Sequence, residues 1–261
     1  MDSEPPKIAI LRMEGTNNDS ESFRSFLESG ASPQYVHIRE LETGKIDLED
    51  FKGVFIPGGF SAGDYVRAGI IFAVRLKMSA GKKLWDMAEH GMPIVGHCNG
   101  FQVLTELGML SYSKDKKDLV LDVNQSGRFE CRIVYVKYTG KNKILDNFYS
   151  RGVPMEVPVA HKEGRLRFSN NEAPPQLSEE GRITFTYVNS DGNTDAYPWN
   201  PNGSPGSIAG ISGLMDNILG MMPHPERMYY SYHQSYSQRK HGMTPIGKSF
   251  FDAIVSYART V

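Results

Sequence analysis

The sequence predicts an α/β fold with a mostly parallel sheet that is covered by helices on both faces. Up to residue 107, short apolar runs alternate with segments of helical spacing, a pattern that forms right-handed βαβ units. The chain has 261 residues, enough for one large core, and no linker-like stretch divides it. We therefore expect a single domain over residues 1–261.

The first hundred residues carry four short apolar runs, which are typical of buried parallel strands. Residues 18–27 have helical spacing with apolar side chains on one side. A basic and polar stretch from 75 to 90 is also predicted to be helical, and Gly91 and Pro93 end it. The four strands are predicted at residues 7–11, 35–38, 53–56 and from 94 onward.

The second half of the chain predicts a small antiparallel addition to this sheet. Residues 129–137 alternate in β fashion, and Cys131 shares a face with other apolar side chains, so we expect Cys131 in the core. The remaining predictions are strands at 119–123 and 182–188, a hairpin of 208–211 with 218–222, and a closing helix over 246–258.

Composition excludes several classes of function. The net charge is -1, from 29 basic and 30 acidic residues, which argues against nucleic acid or an anionic membrane as a partner. Two cysteines in 261 residues do not make a disulfide scaffold and favour a reducing compartment. The sequence begins without an apolar signal region and has no 18-residue apolar run. We expect a cytoplasmic enzyme.

Residues 94–107, IVGHCNGFQVLTEL, read as a strand, a sharp turn and a helix. Gly96 and Gly100 flank Cys98 two residues away on each side, as in a nucleophile elbow. The helix N-terminus then favours a thiolate on Cys98, and Gln102 lies one helical turn further on the same face. A buried structural cysteine is the alternative interpretation.

Gly58 and Gly59 follow the strand at 53–56, where glycine lets backbone N–H groups face a ligand. They are candidates for an oxyanion hole, although a plain strand-end turn has the same pattern.

A second candidate element is His224-Pro225-Glu226, which supplies a base and a carboxylate that can orient it. A strand-end turn is again the alternative. Two other histidines are weaker candidates for the base. His97 is expected to point to the opposite side of its strand from Cys98, and His161, although followed by Glu163, is expected in a charged turn.

Together these motifs resemble the class I, or triad, glutamine amidotransferases. The resemblance is strongest to the glutaminase subunits of phosphoribosylformylglycinamidine synthase, and it spans nearly the whole chain in order. It implies a three-layer flavodoxin-like fold. The stretches that carry it are PGGFSAGDYVRAG, GHCNGFQVLTELGML, NQSGRFEC, AHKEGR, NPNGS and GMMPHPER.

The resemblance also implies roles for individual residues. Cys98 would attack the side-chain amide of glutamine, His224 would protonate the leaving ammonia, and Glu226 would hold His224. Backbone N–H groups of Gly58 or Gly59 and of Asn99 would form the oxyanion hole. The substrate's α-amino and α-carboxylate groups would be held by Gln102, Arg128 and Phe129.

The same resemblance implies a division of labour with partner proteins. The chain has no G-x-x-x-x-G-K-[ST] loop and no carboxylate cluster typical of a metal site, so we expect no metal and no cofactor here. ATP and magnesium would be used by a separate PurL synthase subunit, with help from the small protein PurS. The sequence departs from the family pattern at Ala62, His97 and Lys162 and has extra residues at 75–83 and 229–244.

Two other functions fit parts of the pattern. A cysteine peptidase or a deglycase of the DJ-1 type also places cysteine on an elbow, but Gln102 and the His-Pro-Glu motif count against it. A non-catalytic interaction subunit would be expected to lack a triad residue, whereas Cys98, His224 and Glu226 are all present.

Overall fold

The computed structural model describes residues 4–111, 117–169 and 173–261. The strands in these residues are β1 (Lys7–Arg12), β2 (Ser32–His37), β3 (Gly53–Ile56), β4 (Ile94–His97), β5 (Leu119–Asp122), β6 (Glu130–Tyr138), β7 (Met155–His161), β8 (Arg165–Phe168), β9 (Ile183–Val188), β10 (Ile208–Ser212) and β11 (Ile218–Met221). Nine of them form one sheet in the order β2-β1-β3-β4-β11-β10-β9-β6-β7, and β5 and β8 pair separately.

Helices cover both faces of the large sheet and bury a separate apolar cluster on each. The helices are α1 (Asp19–Glu28), α2 (Ile38–Glu42), α3 (Ile70–Glu89), α4 (Asn99–Glu106), α5 (Ala173–Glu179), α6 (Tyr236–Lys240) and α7 (Ile246–Ala258). Helices α2, α3 and α4 pack on one face and α1 and α7 on the other. Among the described residues, no helix is long and apolar enough to cross a membrane.

The predicted α/β sheet is confirmed. Strands β2, β1, β3, β4 and β11 pair in parallel, and β10, β9, β6 and β7 extend the same sheet with antiparallel pairing. The hairpin of β10 with β11 and the closing helix α7 lie where the sequence predicts them. Strand β8 and helix α5 were not predicted, because neither segment shows a clear apolar period. The single-domain assignment stays a prediction.

The prediction for Cys131 was wrong, because this side chain is exposed. In β6 the core face is formed by Val134, Val136 and Tyr138, whereas Ile133 on the other face is 53% exposed. Both faces of β6 carry apolar side chains, so alternation alone does not identify the buried one.

The parallel half of the sheet brings three chain segments to one edge. Strands β3, β4 and β11 are neighbours, and their carboxyl ends lead to Gly58, Cys98 and His224. In open α/β sheets this edge is where ligands bind.

Candidate active site

Cys98 occupies a strained turn between β4 and α4. Its φ of 50° and ψ of −110° are unusual for a residue with a side chain, and its N–H is held by Met221 O at 2.8 Å. A Cβ at Gly96 would lie 2.5 Å from Gly100 O, and one at Gly100 would lie 1.8 Å from Ile56 O. The two glycines are therefore required by the close approach of backbone segments, and the predicted elbow geometry is present.

His224 and Glu226 form a buried hydrogen-bonded pair at the end of β11. Pro225–Met228 form a 3-10 turn, which brings His224 Nδ1 within 2.7 Å of Glu226 Oε1. Burial opposes the charged form of His224, but the charges of Cys98 and Glu226 outweigh it and raise the pKa of His224 to about 10. Burial likewise disfavours the carboxylate of Glu226, yet His97 and His224 hold its pKa below the ordinary value.

Cys98, His224 and Gly58 converge on one point. A Cβ placed on Gly58 would lie 2.9 Å from His224 Cε1 and 3.2 Å from Cys98 Cβ. Within the described part of the chain, Nε2 of His224 has no nitrogen or oxygen partner, and the neighbouring charge is that of Cys98. This geometry places the imidazole of His224 beside the sulfur of Cys98, where the two groups can exchange a proton.

The predicted oxyanion donors lie beside this point. Asn99 is the first residue of α4, so its N–H has no intrahelical acceptor. Gly59 has a φ of +148°, and a Cβ there would lie 2.7 Å from Asn17 N. Gly58 accepts from Asn18 N at 3.2 Å, while its own N–H lies 3.2 Å from His97 Nε2. In this conformation the Gly58 amide is directed at His97 rather than at Cys98.

Gln102, Arg128 and Phe129 surround the site less tightly. Gln102 is buried, and its amide nitrogen donates to Glu163 O at 2.7 Å while its oxygen accepts from Asn99 Nδ2 at 2.8 Å. The backbone oxygen of Arg128 accepts from a neighbouring asparagine, and the ring of Phe129 is 46% exposed. Their roles toward glutamine stay predictions, and Gln102 would have to exchange a protein partner for substrate.

The expected position of His161 was wrong. This histidine ends β7, is 3% exposed, and its Nδ1 lies 3.0 Å from Asn124 Oδ1. Burial, together with the nearby charges of His224 and Arg132, lowers the pKa of His161 to about 3. His161 is therefore neutral at ordinary pH and supports the chain around the site.

Asp64 and the contact of His97 with Glu226 were missed by the sequence analysis. Asp64 is partly buried near Glu163, and burial followed by the Glu163 charge raises the pKa of Asp64 to about 6. His97 does point away from Cys98, toward the face that holds Phe55. However, Glu226 reaches the same face, and His97 Nε2 lies 3.1 Å from Glu226 Oε2. Alternation along β4 predicts the face to which His97 points, but it does not predict that the Glu226 side chain reaches that face at the end of the sheet.

Among the residues that the structure describes, His97, His224 and Glu226 have potential metal-ligand atoms within 4.8 Å of one another. Ligand atoms about 2.0–2.1 Å from a tetrahedral zinc would be about 3.3 Å apart. His224 Nδ1 and Glu226 Oε1 are 2.7 Å apart instead, so they are bonded directly to each other. The geometry is that of a carboxylate between two imidazoles, and the absence of a metal stays a prediction.

Comparison with known proteins identifies the family. Residues 5–258 match the CobB/CobQ-like glutamine amidotransferase domain. The chain is 49% identical over 241 residues to a phosphoribosylformylglycinamidine synthase subunit PurQ of Picrophilus torridus, covering 92% of this chain and 93% of that one. It is 40% identical to the subunit of the same name from Archaeoglobus fulgidus, with 98% of each chain covered.

Solved structures agree with this assignment. A chain in the structure of PurLQS from Thermotoga maritima has a TM-score of 0.75 and 28% identity, with 97% of this chain and 99% of that chain covered. A glutamine amidotransferase from the same organism has a TM-score of 0.56 at 16% identity, with 97% of each chain covered, which shows the shared fold alone. The chain therefore belongs to the PurQ family of glutamine amidotransferases.

Proposed function

We propose that this chain hydrolyses L-glutamine to glutamate and ammonia, with Cys98 as the nucleophile. The observation that carries the proposal is the meeting of three neighbouring strand ends, which place Cys98, His224 and Gly58 around one point. A cysteine on an elbow, an imidazole fixed by a carboxylate, and backbone donors beside them are the parts that acyl transfer to sulfur needs.

The reaction follows from these positions. The Cys98 thiolate attacks the side-chain amide carbon of glutamine, and the tetrahedral oxyanion is met by backbone N–H groups of Asn99 and of Gly59 or Gly58. Protonated His224 gives its proton to the departing ammonia, which leaves a γ-glutamyl thioester on Cys98. Neutral His224 then takes a proton from water as the water attacks the thioester, and glutamate is released. Glu226 holds the ring of His224 and stabilises its charged form.

The ammonia would pass to a PurL synthase subunit, which uses it for ATP-dependent amidation of formylglycinamide ribonucleotide in purine biosynthesis. The PurQ names of the relatives and the PurLQS neighbour support this assembly. PurS would be the third component, ATP and magnesium would be bound by the synthase, and this chain would need no cofactor. The cytoplasm is the compartment that the sequence composition favours for this assembly.

Substitution of the nucleophile tests the proposal. Cys98→Ala, assembled with PurL and PurS, should lose glutamine-dependent product formation and keep the ammonium-dependent reaction, because the synthase chemistry lies on another subunit. Cys131→Ala is the matched control, since Cys131 is the other cysteine of the chain and lies exposed on β6. This control should retain both activities.

Chemical labelling gives an independent result. The glutamine analogue 6-diazo-5-oxo-L-norleucine should attach to Cys98, as read by peptide mass mapping, and glutamine should protect this residue. An adduct on Cys131 would contradict the assignment of the nucleophile. Peptide hydrolysis without release of ammonia from glutamine would instead favour a cysteine peptidase.

A further inference from the structure

His97 Nε2 lies near two groups that require opposite protonation states of this nitrogen. The nitrogen lies 3.2 Å from the N–H of Gly58 and 3.1 Å from Oε2 of Glu226. To accept from Gly58, Nε2 must carry a lone pair, and to bond to the carboxylate it must carry a proton. A neutral imidazole nitrogen does one or the other, so the two contacts cannot both be hydrogen bonds.

The unpartnered atoms around the ring decide between these alternatives. Among the residues that the structure describes, the buried Nδ1 of His97 has no hydrogen-bond partner, and the buried Oε2 of Glu226 has none apart from the contact with His97 Nε2. A proton on Nδ1 would leave a buried donor unpaired and would turn a nitrogen lone pair toward a carboxylate. A proton on Nε2 pairs it with the charged oxygen, and hydrogen bonds to charged groups are about twice as strong as neutral ones. With the proton on Nε2, a lone pair on Nδ1 and the N–H of Gly58 remain unpaired. With the proton on Nδ1, a buried N–H and a charged carboxylate oxygen would remain unpaired, which is the larger cost because one of the two groups is charged.

A proton on Nε2 of His97 also affects the proposed oxyanion hole. Once Nε2 carries the proton, the Gly58 N–H has no acceptor at His97, although its glycine stands beside Cys98 and His224. An unpaired backbone donor at that place is free to turn toward an oxyanion when one forms, because glycine permits the peptide to rotate. The same proton on Nε2 therefore forms the hydrogen bond to Glu226 and prevents the Gly58 N–H from bonding to His97.

We propose that His97 is a positioning residue, whose Nε2–H fixes the second oxygen of Glu226 and leaves the Gly58 amide available as an oxyanion donor. His97 packs edge-on against His224, with ring centroids 5.3 Å apart, and at a tilt against Phe55 at 5.2 Å, so its ring is held in place. Both carboxylate oxygens of Glu226 are then hydrogen-bonded, Oε1 to His224 and Oε2 to His97. This role deepens the proposed glutaminase activity and rests on it for its catalytic meaning.

The position of the proton can be measured directly on the full chain. With ¹⁵N-labelled histidine, two-bond ¹H–¹⁵N correlation distinguishes the two tautomers, and His97→Gln identifies the His97 signals. We expect neutral His97 with its proton on Nε2. A proton on Nδ1 would overturn the proposal. The tautomer of His97 is measured without glutamine hydrolysis, so this result is independent of the proposed function.

Two substitutions test the catalytic role in the assembled complex. His97→Leu removes the donor, and kcat for glutamine hydrolysis should fall about 10- to 100-fold with little change in KM, the range for one hydrogen bond to a charged group. His97→Gln places an amide N–H near the position of Nε2 and should restore most of the lost turnover. An equal loss in both variants would contradict the proposal.

The pH profile separates positioning from a merely structural role. Glu226 is faced by His97 from β4, by His224, and by Arg227, whose Nε lies 3.8 Å from Oε1; His224 is faced in turn by Cys98 and His161. His97 stabilises the carboxylate, so its loss raises the pKa of Glu226. The acid limb of kcat/KM should move to higher pH in His97→Leu and stay in place in His97→Gln. An unchanged limb in a folded His97→Leu would overturn the proposal, and if that variant does not fold, the tautomer and His97→Gln decide.

Discussion

The triad and the loop that follows Gly59 lie side by side but are constructed differently. Cys98, His224 and Glu226 are 5%, 1% and 3% exposed, and each is fixed by neighbours on adjacent strands. In the loop at residues 60–69, Tyr65 and Val66 are 75% and 91% exposed. The groups proposed to perform the chemistry are therefore preorganised, whereas the segment beside the proposed oxyanion hole is in contact with solvent.

The backbone of the loop strengthens this contrast. Ala62, Asp64 and Val66 have φ values of 53°, 52° and 72°, in the left-handed region that costs an ordinary residue about 1–2 kcal/mol. Strain in a branched residue such as Val66 persists only where other contacts compensate for it. Because exposed loops beside a site can gate it, we predict that this loop, rather than the buried triad, responds to a partner protein.

The largest effect is expected where the preorganised region is broken. Glu226→Gln would leave His224 with a neutral partner that does not stabilise its charged form, and kcat should fall by about 10⁴-fold. The measurement is glutamine hydrolysis by the assembled complex. Asp252→Asn on α7 is a matched carboxylate-to-amide control, because Asp252 pairs with Lys248 away from the triad. Loss of activity in both variants would indicate a general structural effect instead.

A smaller effect on turnover is expected from substitution of Gly58, which lies between the triad and the loop. The Cβ of Gly58→Ala would press on His224 and Cys98 and hinder rotation of the peptide, so turnover should fall about 10²- to 10³-fold, as when one oxyanion donor is lost. Gly81→Ala in α3 is the control, because its Cβ would meet its nearest atom at 3.4 Å in an ordinary helix. An active Gly58→Ala enzyme would remove this glycine from the oxyanion hole.

The smallest effect concerns the loop itself. Asparagine tolerates the left-handed region better than valine, so Val66→Asn should raise the free energy of unfolding by about 0.5–1 kcal/mol. Val74→Asn in α3 should change it little, since valine and asparagine have similar helix propensities and Val74 is half exposed. Chemical denaturation of the three proteins gives the comparison. Equal values for Val66→Asn and wild type would mean that the loop is not strained in solution.

The same contrast explains how much was predictable from the sequence. The elbow was recognised because strain and crowding at Cys98 require glycine on both sides. The meeting of the strand ends at one edge of the sheet was predictable from the order of the βαβ units. The two faces of β6 were not distinguishable, because Cys131 and Val134 occupy equally apolar patterns. The contact of His97 with Glu226 was missed because it joins residues 129 positions apart across the edge of the sheet, which periodicity does not report.

We predict that the triad is already assembled in this chain, while full turnover requires the synthase to set the adjoining loop and oxyanion donors. Steady-state glutaminase kinetics test it most directly, on the chain alone and then with PurL, PurS, ATP and formylglycinamide ribonucleotide. We expect KM for glutamine to change little and kcat to rise by about 10²- to 10³-fold on assembly, the worth of one oxyanion donor. A chain that alone turns over as fast as the complex would contradict the account.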